Sequence, residues 1–298
     1  MAQHDSSSVT FERPLRIRAG FSLTFEVPYT TPMLFVVQPR ERLELTGTRQ
    51  RIIDQRPLEA AQGIHTYQDG HGNIVWRLLA QPGTLTIGHD LIAEITRNPD
   101  PVLPDLPKTL VEDLPSETIQ YLLPSRYVDS DLVSAEAWDR FGYIQGGWAQ
   151  VQAVCDFLYD TCVYGYGSNS TTTAKQALDS GRGVCRDFAH MGVAFCRALN
   201  IPARYVCGYM PDIDIVPDPV PMDFHAWFEA FIDGQWRTFD ARHNKPRAGR
   251  ILIGQGRDAS DVAFSTTFGS ARLTHMKVWA DETDFANTLD IEPNPRIF

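Results

Sequence analysis

Residues 225–241 read HAWFEAFIDGQWRTFDA, and this stretch decides the fold. Apolar and aromatic residues dominate on either side of Asp233-Gly234, a dipeptide suited to the positive φ angles of a two-residue hairpin turn. The segment therefore reads as two antiparallel strands. Alternation puts His225, Trp227, Glu229 and Phe231 on one face and Ala226, Phe228 and Ala230 on the other. A turn at 233–234 also sets the register, with residues whose numbers sum to about 467 lying opposite one another. His225 and Asp240 then form a diagonal pair on one face, about 7–8 Å apart at Cα. The same register brings Trp227 beside Asp240, where its indole shields the pair from water.

Working upstream, GRGVCRDFAH at 181–190 joins a glycine turn to a helix. Phe188, Met191, Phe195 and Leu199 make its apolar face, and Pro202 marks its end. ARYVCGYM at 203–210 is a strand. Before the turn, a short helix over TAKQALDS is capped by Ser170 or a threonine and stopped by GRG. Residues 134–162 carry apolar residues at helical spacing, broken near Gly146-Gly147, with Val151, Val154, Phe157 and Leu158 as a core stripe.

Residues 18–94 have a different character. They read as short strands separated by the turn signals QDGHGN at 68–73 and QPG at 81–83. Five prolines between 98 and 117 exclude both a helix and a central strand there. The expected class is α+β. Residues 1–105 form an N-terminal all-β, sandwich-like domain, 106–133 a linker and inter-domain stretch, and 134–298 a core of helices against an antiparallel sheet.

The 298-residue chain carries 27 basic and 37 acidic residues, a net charge of -10, which disfavours non-specific binding to nucleic acid. No basic and apolar leader pattern and no long apolar run is present, so the expectation is a cytoplasmic protein without a membrane span. The five cysteines are odd in number and lack a CxxC spacing, which fits neither a disulfide framework nor a cysteine zinc site. Cys155, Cys196 and Cys207 read as small buried residues.

Cys185 differs from these. It stands where a glycine turn meets a helix, and the free N–H groups and dipole of a helix start favour a thiolate. The same groups can face a developing oxyanion, the Cys185 N–H first among them. Thiol catalysis needs a nucleophile, a histidine to carry the proton and a polar group to orient the ring. Cys185, His225 and Asp240 supply those three residue types in order on a helix, a strand and the next strand.

The blocks GRGVCRDFAH (181–190), ALNIPARYVCGY (198–209), DFHAWFEAF (223–231) and WRTFDA (236–241) resemble the transglutaminase-like superfamily, in particular its bacterial cysteine-protease-like group. The resemblance extends to the β-rich N-terminal region and to YLLPSRY at 121–127. It implies a papain-like core, with Cys185 as nucleophile, His225 as base and Asp240 as the orienting acid. It implies acyl transfer on a peptide, protein or small amide substrate, most simply hydrolysis. Transfer to an amine and a non-catalytic scaffold are the alternatives, and a metal-dependent hydrolase using His225, His243 and an acid is the rival from another class. Tyr164 and Tyr166 loosely match the family's aromatic oxyanion position, although packing is the stronger expectation for both.

Four further expectations follow. Asp187 caps its helix or makes a local salt bridge. His190 makes a structural hydrogen bond. Arg186 lines the cleft mouth. The basic run 242–250 is either a solvated loop or a rim for a carboxylate-bearing substrate. No calcium loop, zinc motif or nucleotide motif is present, so neither a metal nor another cofactor is expected. Oligomeric state is left open.

Overall fold

The computed structural model describes residues 14–43, 49–58, 63–165, 167–217 and 219–284. The first strands are β1 (Leu15–Val27), β2 (Thr31–Gln38), β3 (Arg42–Leu43), β4 (Arg49–Leu58), β5 (His65–Gln68), β6 (Ile74–Ala80) and β7 (Gly83–Ile95). A stretch of turns and short 3-10 segments leads to helices α1 (Ser134–Phe141) and α2 (Gly147–Thr161). Strand β8 (Val163–Tyr164), helix α3 (Ala174–Ser180), strand β9 (Arg182–Gly183) and helix α4 (Cys185–Ala198) follow. The chain then runs through β10 (Ala203–Tyr209), β11 (His225–Ile232), β12 (Gln235–Phe239), β13 (Ile251–Gly256), β14 (Thr266–Thr267) and β15 (Arg272–Glu282).

Two sheets form the N-terminal body, in the orders β15-β1-β7-β4-β3 and β14-β2-β6-β5. Alternate residues of β1, from Leu15 to Phe25, face Met33, Phe35, Trp76 and Leu78 of the second sheet in one buried core. Burial of such side chains is worth about 1.5–3 kcal/mol each, which drives the two layers together. The architecture is α+β, with this β region followed by a helix and sheet core.

The last strands return to the first ones. β15 pairs antiparallel along β1, and β14 pairs with β2. The expected division, which groups 134–298 in the core, therefore does not separate the sheets. The sequence reading assigns no element to 272–282, and a strand there would not by itself announce its partner.

The second body is the antiparallel sheet β12-β11-β10-β13 with helices packed on it. The hairpin forms in the expected register, with Phe228 opposite Phe239 and Phe231 opposite Trp236. Asp233 and Gly234 have φ angles of 50° and 72°, as a two-residue turn with matching twist requires. Phe228, Ala230 and Ile232 bury against Phe188, Met191 and Phe195 of α4. Close approach of helix and strand depends on Gly192, where a Cβ would lie 2.5 Å from the Phe228 ring. The break between α1 and α2 falls at Gly146, with φ of 91°.

Candidate active site

Three local devices set the position of Cys185. Thr173 caps α3 reciprocally with Gln176, and Gly181 ends the helix in the left-handed region. β9 then pairs with β8, Gly183 opposite Tyr164. Asp187, in the first turn of α4, accepts the Val184 N–H at 2.9 Å and a hydrogen bond from Ser168. The capping expectation for Asp187 thus holds, and Arg186 pairs with the same carboxylate at 2.7 Å. Arg186 also donates to the Asn169 carbonyl, so it is engaged by its own loop.

The half-buried Cys185 side chain packs against Ala189, Tyr205 and Ala226. Its sulphur lies 4.0 Å from the Phe224 carbonyl oxygen, and the Ala226 backbone also bonds to it. The thiol therefore touches main chain immediately before and after His225. The helix start, which favours a thiolate, is opposed here by burial. Burial pushes the Cys185 thiol up to about 11, outweighing the Ala226 bond. Asp223 raises it further, the Arg242 charge lowers it, and Asp240 raises it.

His225 and Asp240 are joined by a 2.8 Å hydrogen bond between Nε2 and Oδ2, and both are buried. Burial lowers the His225 pKa to about 4 despite the opposing effect of Asp240. For Asp240, burial would raise the value. His225, His243 and Arg250 overcome it and hold the carboxyl well below its usual range. In the resting site burial thus favours the uncharged thiol and the uncharged imidazole, while the groups around Asp240 favour its carboxylate.

Asp240 is the hub. Its Oδ2 also accepts from His243 Nδ1 at 3.2 Å and Arg250 Nη2 at 3.1 Å. Its Oδ1 accepts the backbone N–H groups of Arg242 and His243. Trp227 stacks beside His225 with ring centroids 6.2 Å apart and is 2% exposed, with the Arg250 guanidinium over its ring. Arg250 reaches on to Asp100 at 2.9 Å, which ties the proline-rich stretch to the site.

The sequence offers His243 only as a metal ligand beside His225, Arg250 only as part of a basic run, and does not single out Asp100. The available signal was the basic run 242–250, two of whose arginines are tied down in ion pairs. Arg247 pairs with Asp212 and Arg250 with Asp100 and Asp240. His190 accepts the Ala259 N–H at 3.1 Å and stacks on Tyr127, a structural role as expected. Tyr164 lies in β8 with its ring under the Arg242 guanidinium at 3.8 Å. Tyr166 lies outside the described residues. All five cysteines are free, with Cys155 and Cys196 buried and Cys207 half-buried.

Ligand atoms of His225, Asp240 and His243 lie within 4.8 Å of one another, a donor set that a divalent ion can use. The fit is poor, because Arg250 already holds the shared Asp240 oxygen and would set its charge against the ion. No helix among the described residues is long and apolar enough to cross a membrane.

The sequence profile of the transglutaminase-like superfamily matches residues 138–241. A candidate cysteine protease of Cytophaga hutchinsonii, solved by crystallography, is 33% identical with a TM-score of 0.82, and the match covers 93% of each chain. The chain belongs to the transglutaminase-like superfamily, and its N-terminal β region is included in that likeness. An uncharacterised protein of Mycobacterium leprae is 40% identical over 94 residues, a match spanning 31% of this chain and 34% of that protein. Uncharacterised proteins of Mycobacterium bovis and Mycobacterium tuberculosis are 27% identical over 252 residues, 75% of this chain and 77% of theirs. The fold and the Cytophaga relative are consistent with hydrolase-type enzymatic activity.

Proposed function

We propose that the protein is a cysteine-nucleophile acyl-transfer enzyme that hydrolyses a peptide or amide bond through Cys185, His225 and Asp240. One observation carries the reading. The Cys185 sulphur rests on the backbone flanking His225, and the Nε2 of that histidine is bonded to Asp240.

The imidazole has two nitrogens with separate tasks. Nε2 is taken by Asp240, which leaves Nδ1 for proton exchange with the thiol. As substrate enters, the thiol proton passes to Nδ1 and the sulphur bonds to the amide carbon. The carbonyl oxygen becomes an oxyanion, for which the Cys185 N–H at the start of α4 is the proposed donor. Collapse breaks the C–N bond, and the imidazolium hands its proton to the leaving amine. Water then attacks the thioester, giving up a proton to His225, and the carboxylic product leaves as the thiol is restored. Asp240 keeps its charge throughout and stabilises the imidazolium, which a buried ring disfavours.

Amine in place of water would make the same site a transamidase. A peptide library incubated with the protein and read by mass spectrometry tests the reading. New termini are expected with wild type, none with Cys185→Ala, and no effect of a chelator. Cleavage that survives Cys185→Ala but stops with chelator would move the chemistry to the His225, Asp240 and His243 cluster.

A further inference from the structure

The arginines around the site are almost all spoken for. Arg186 is held by Asp187, Arg247 by Asp212, and Arg250 by Asp100 and Asp240. Arg242 is different. Among the described residues its guanidinium makes no salt bridge, and its side chain lies over the Tyr164 ring at 3.8 Å. It is half-buried rather than freely solvated. Stacking on an aromatic face fixes a guanidinium while leaving its N–H fork open at the edge, the geometry that matches a carboxylate.

Its location is equally specific. The Arg242 backbone N–H donates to Asp240 Oδ1 at 3.1 Å. Tyr164 pairs with Gly183, two residues ahead of Cys185, and its ring lies 6.3 Å from Phe188, one turn further along α4. Arg242 thus spans from the acid of the His–Asp pair to the wall that leads into the nucleophile. Its charge acts on Cys185 in the sense that favours the thiolate, so the two side chains are within electrostatic reach.

We infer that Arg242 is a specificity-determining residue, seated on Tyr164 to take a carboxylate that the substrate carries close to the scissile bond. The inference rests on the reading of Cys185 as nucleophile. It goes further by naming an acidic substrate class and the side chain that selects it. An acidic side chain and a free α-carboxylate share this chemistry.

The test uses two alkylating agents of one reactivity type, iodoacetate and neutral iodoacetamide. Rates at Cys185 are read by peptide mass spectrometry on the full-length protein, with glutathione as the reference thiol. Their ratio cancels changes in thiolate population. In wild type the iodoacetate to iodoacetamide ratio is expected to exceed that of glutathione by about tenfold, as a charge-assisted contact of about 1.4 kcal/mol supplies. Arg242→Gln is expected to abolish the excess. Tyr164→Leu, a change at an exposed position, is expected to reduce it and serves if the first variant fails to fold. A ratio equal to that of glutathione, or one unmoved by both substitutions, overturns the inference while leaving the nucleophile in place. Failure of both reagents at Cys185 while Cys162 reacts overturns the nucleophile reading as well. Cleaved peptides compared as Glu against Gln, and as free against amidated C-termini, separate the two sources of the carboxylate. Indifference to both pairs counts against the inference.

Discussion

Arg250 lies 3.1 Å from Asp240 and 2.9 Å from Asp100, so a single guanidinium joins the acid of the candidate site to the segment linking the two bodies. Removing one partner of a buried ionic cluster leaves the others uncompensated, at a cost of about 3–5 kcal/mol. Arg250→Met should therefore lower stability by that order in urea denaturation. A change under about 1 kcal/mol would mean that the two carboxylates find other partners.

Asp240→Asn keeps the shape of the side chain but removes the charge that orients and stabilises the His225 ring. Activity on a cleaved peptide should fall about 10²–10⁴-fold with the fold retained by circular dichroism. A loss below threefold would show that His225 does not depend on this partner.

Stability should depend on pH at both ends. Burial lowers the His225 and His190 rings to about 4 in the folded protein. The unfolded chain takes up protons on these rings below about 6.5. Stability is then fully present above that pH and is lost as pH falls toward 4. On the alkaline side the Cys185 thiol stays protonated to about 11 when folded, so stability is lost as pH rises past the unfolded thiol value. Urea midpoints at pH 7, 5.5 and 4.5 check the acid limb. His225→Gln should make it shallower without removing it, since His190 and His89 are lowered to about 4 as well, and midpoints constant from 7 to 4.5 would contradict the burial account.

Gly192→Ala drives a methyl into the Phe228 ring, 2.5 Å from the new Cβ. Overpacking of this kind costs about 1–3 kcal/mol, and here it would also shift α4, and Cys185 with it, off β11. Thermal denaturation and the Cys185 alkylation rate should both change. A variant with wild-type melting would show that the helix rides freely on the strand.

Much of this site was legible in the residues because it is local. Asp233-Gly234 sets the β11–β12 register, and that register alone brings His225 and Asp240 to one face. The glycine turn and the apolar face of α4 place Cys185 at a helix start. What was not legible depends on distant pairing. Nothing near Arg250 announces Asp100, 150 positions away. Nothing in RLTHMKVWADE reveals that β15 lies along β1. The burial that opposes a Cys185 thiolate was hidden for the same reason, since the wall of Tyr205 and Ala226 beside the sulphur is assembled from other strands.

The most direct measurement is acyl-enzyme formation with p-nitrophenyl acetate, an acyl donor whose use requires no knowledge of the natural substrate. Intact and peptide mass spectrometry after a short incubation at pH 8 locate the acetyl group, in wild type, Cys185→Ala and His225→Ala. A burst of nitrophenolate with acetyl on Cys185, absent in Cys185→Ala and slowed in His225→Ala, is the expected result. Acetylation spread over lysines and the other cysteines, equal in all three proteins, would contradict the assignment of Cys185 and His225 as nucleophile and base.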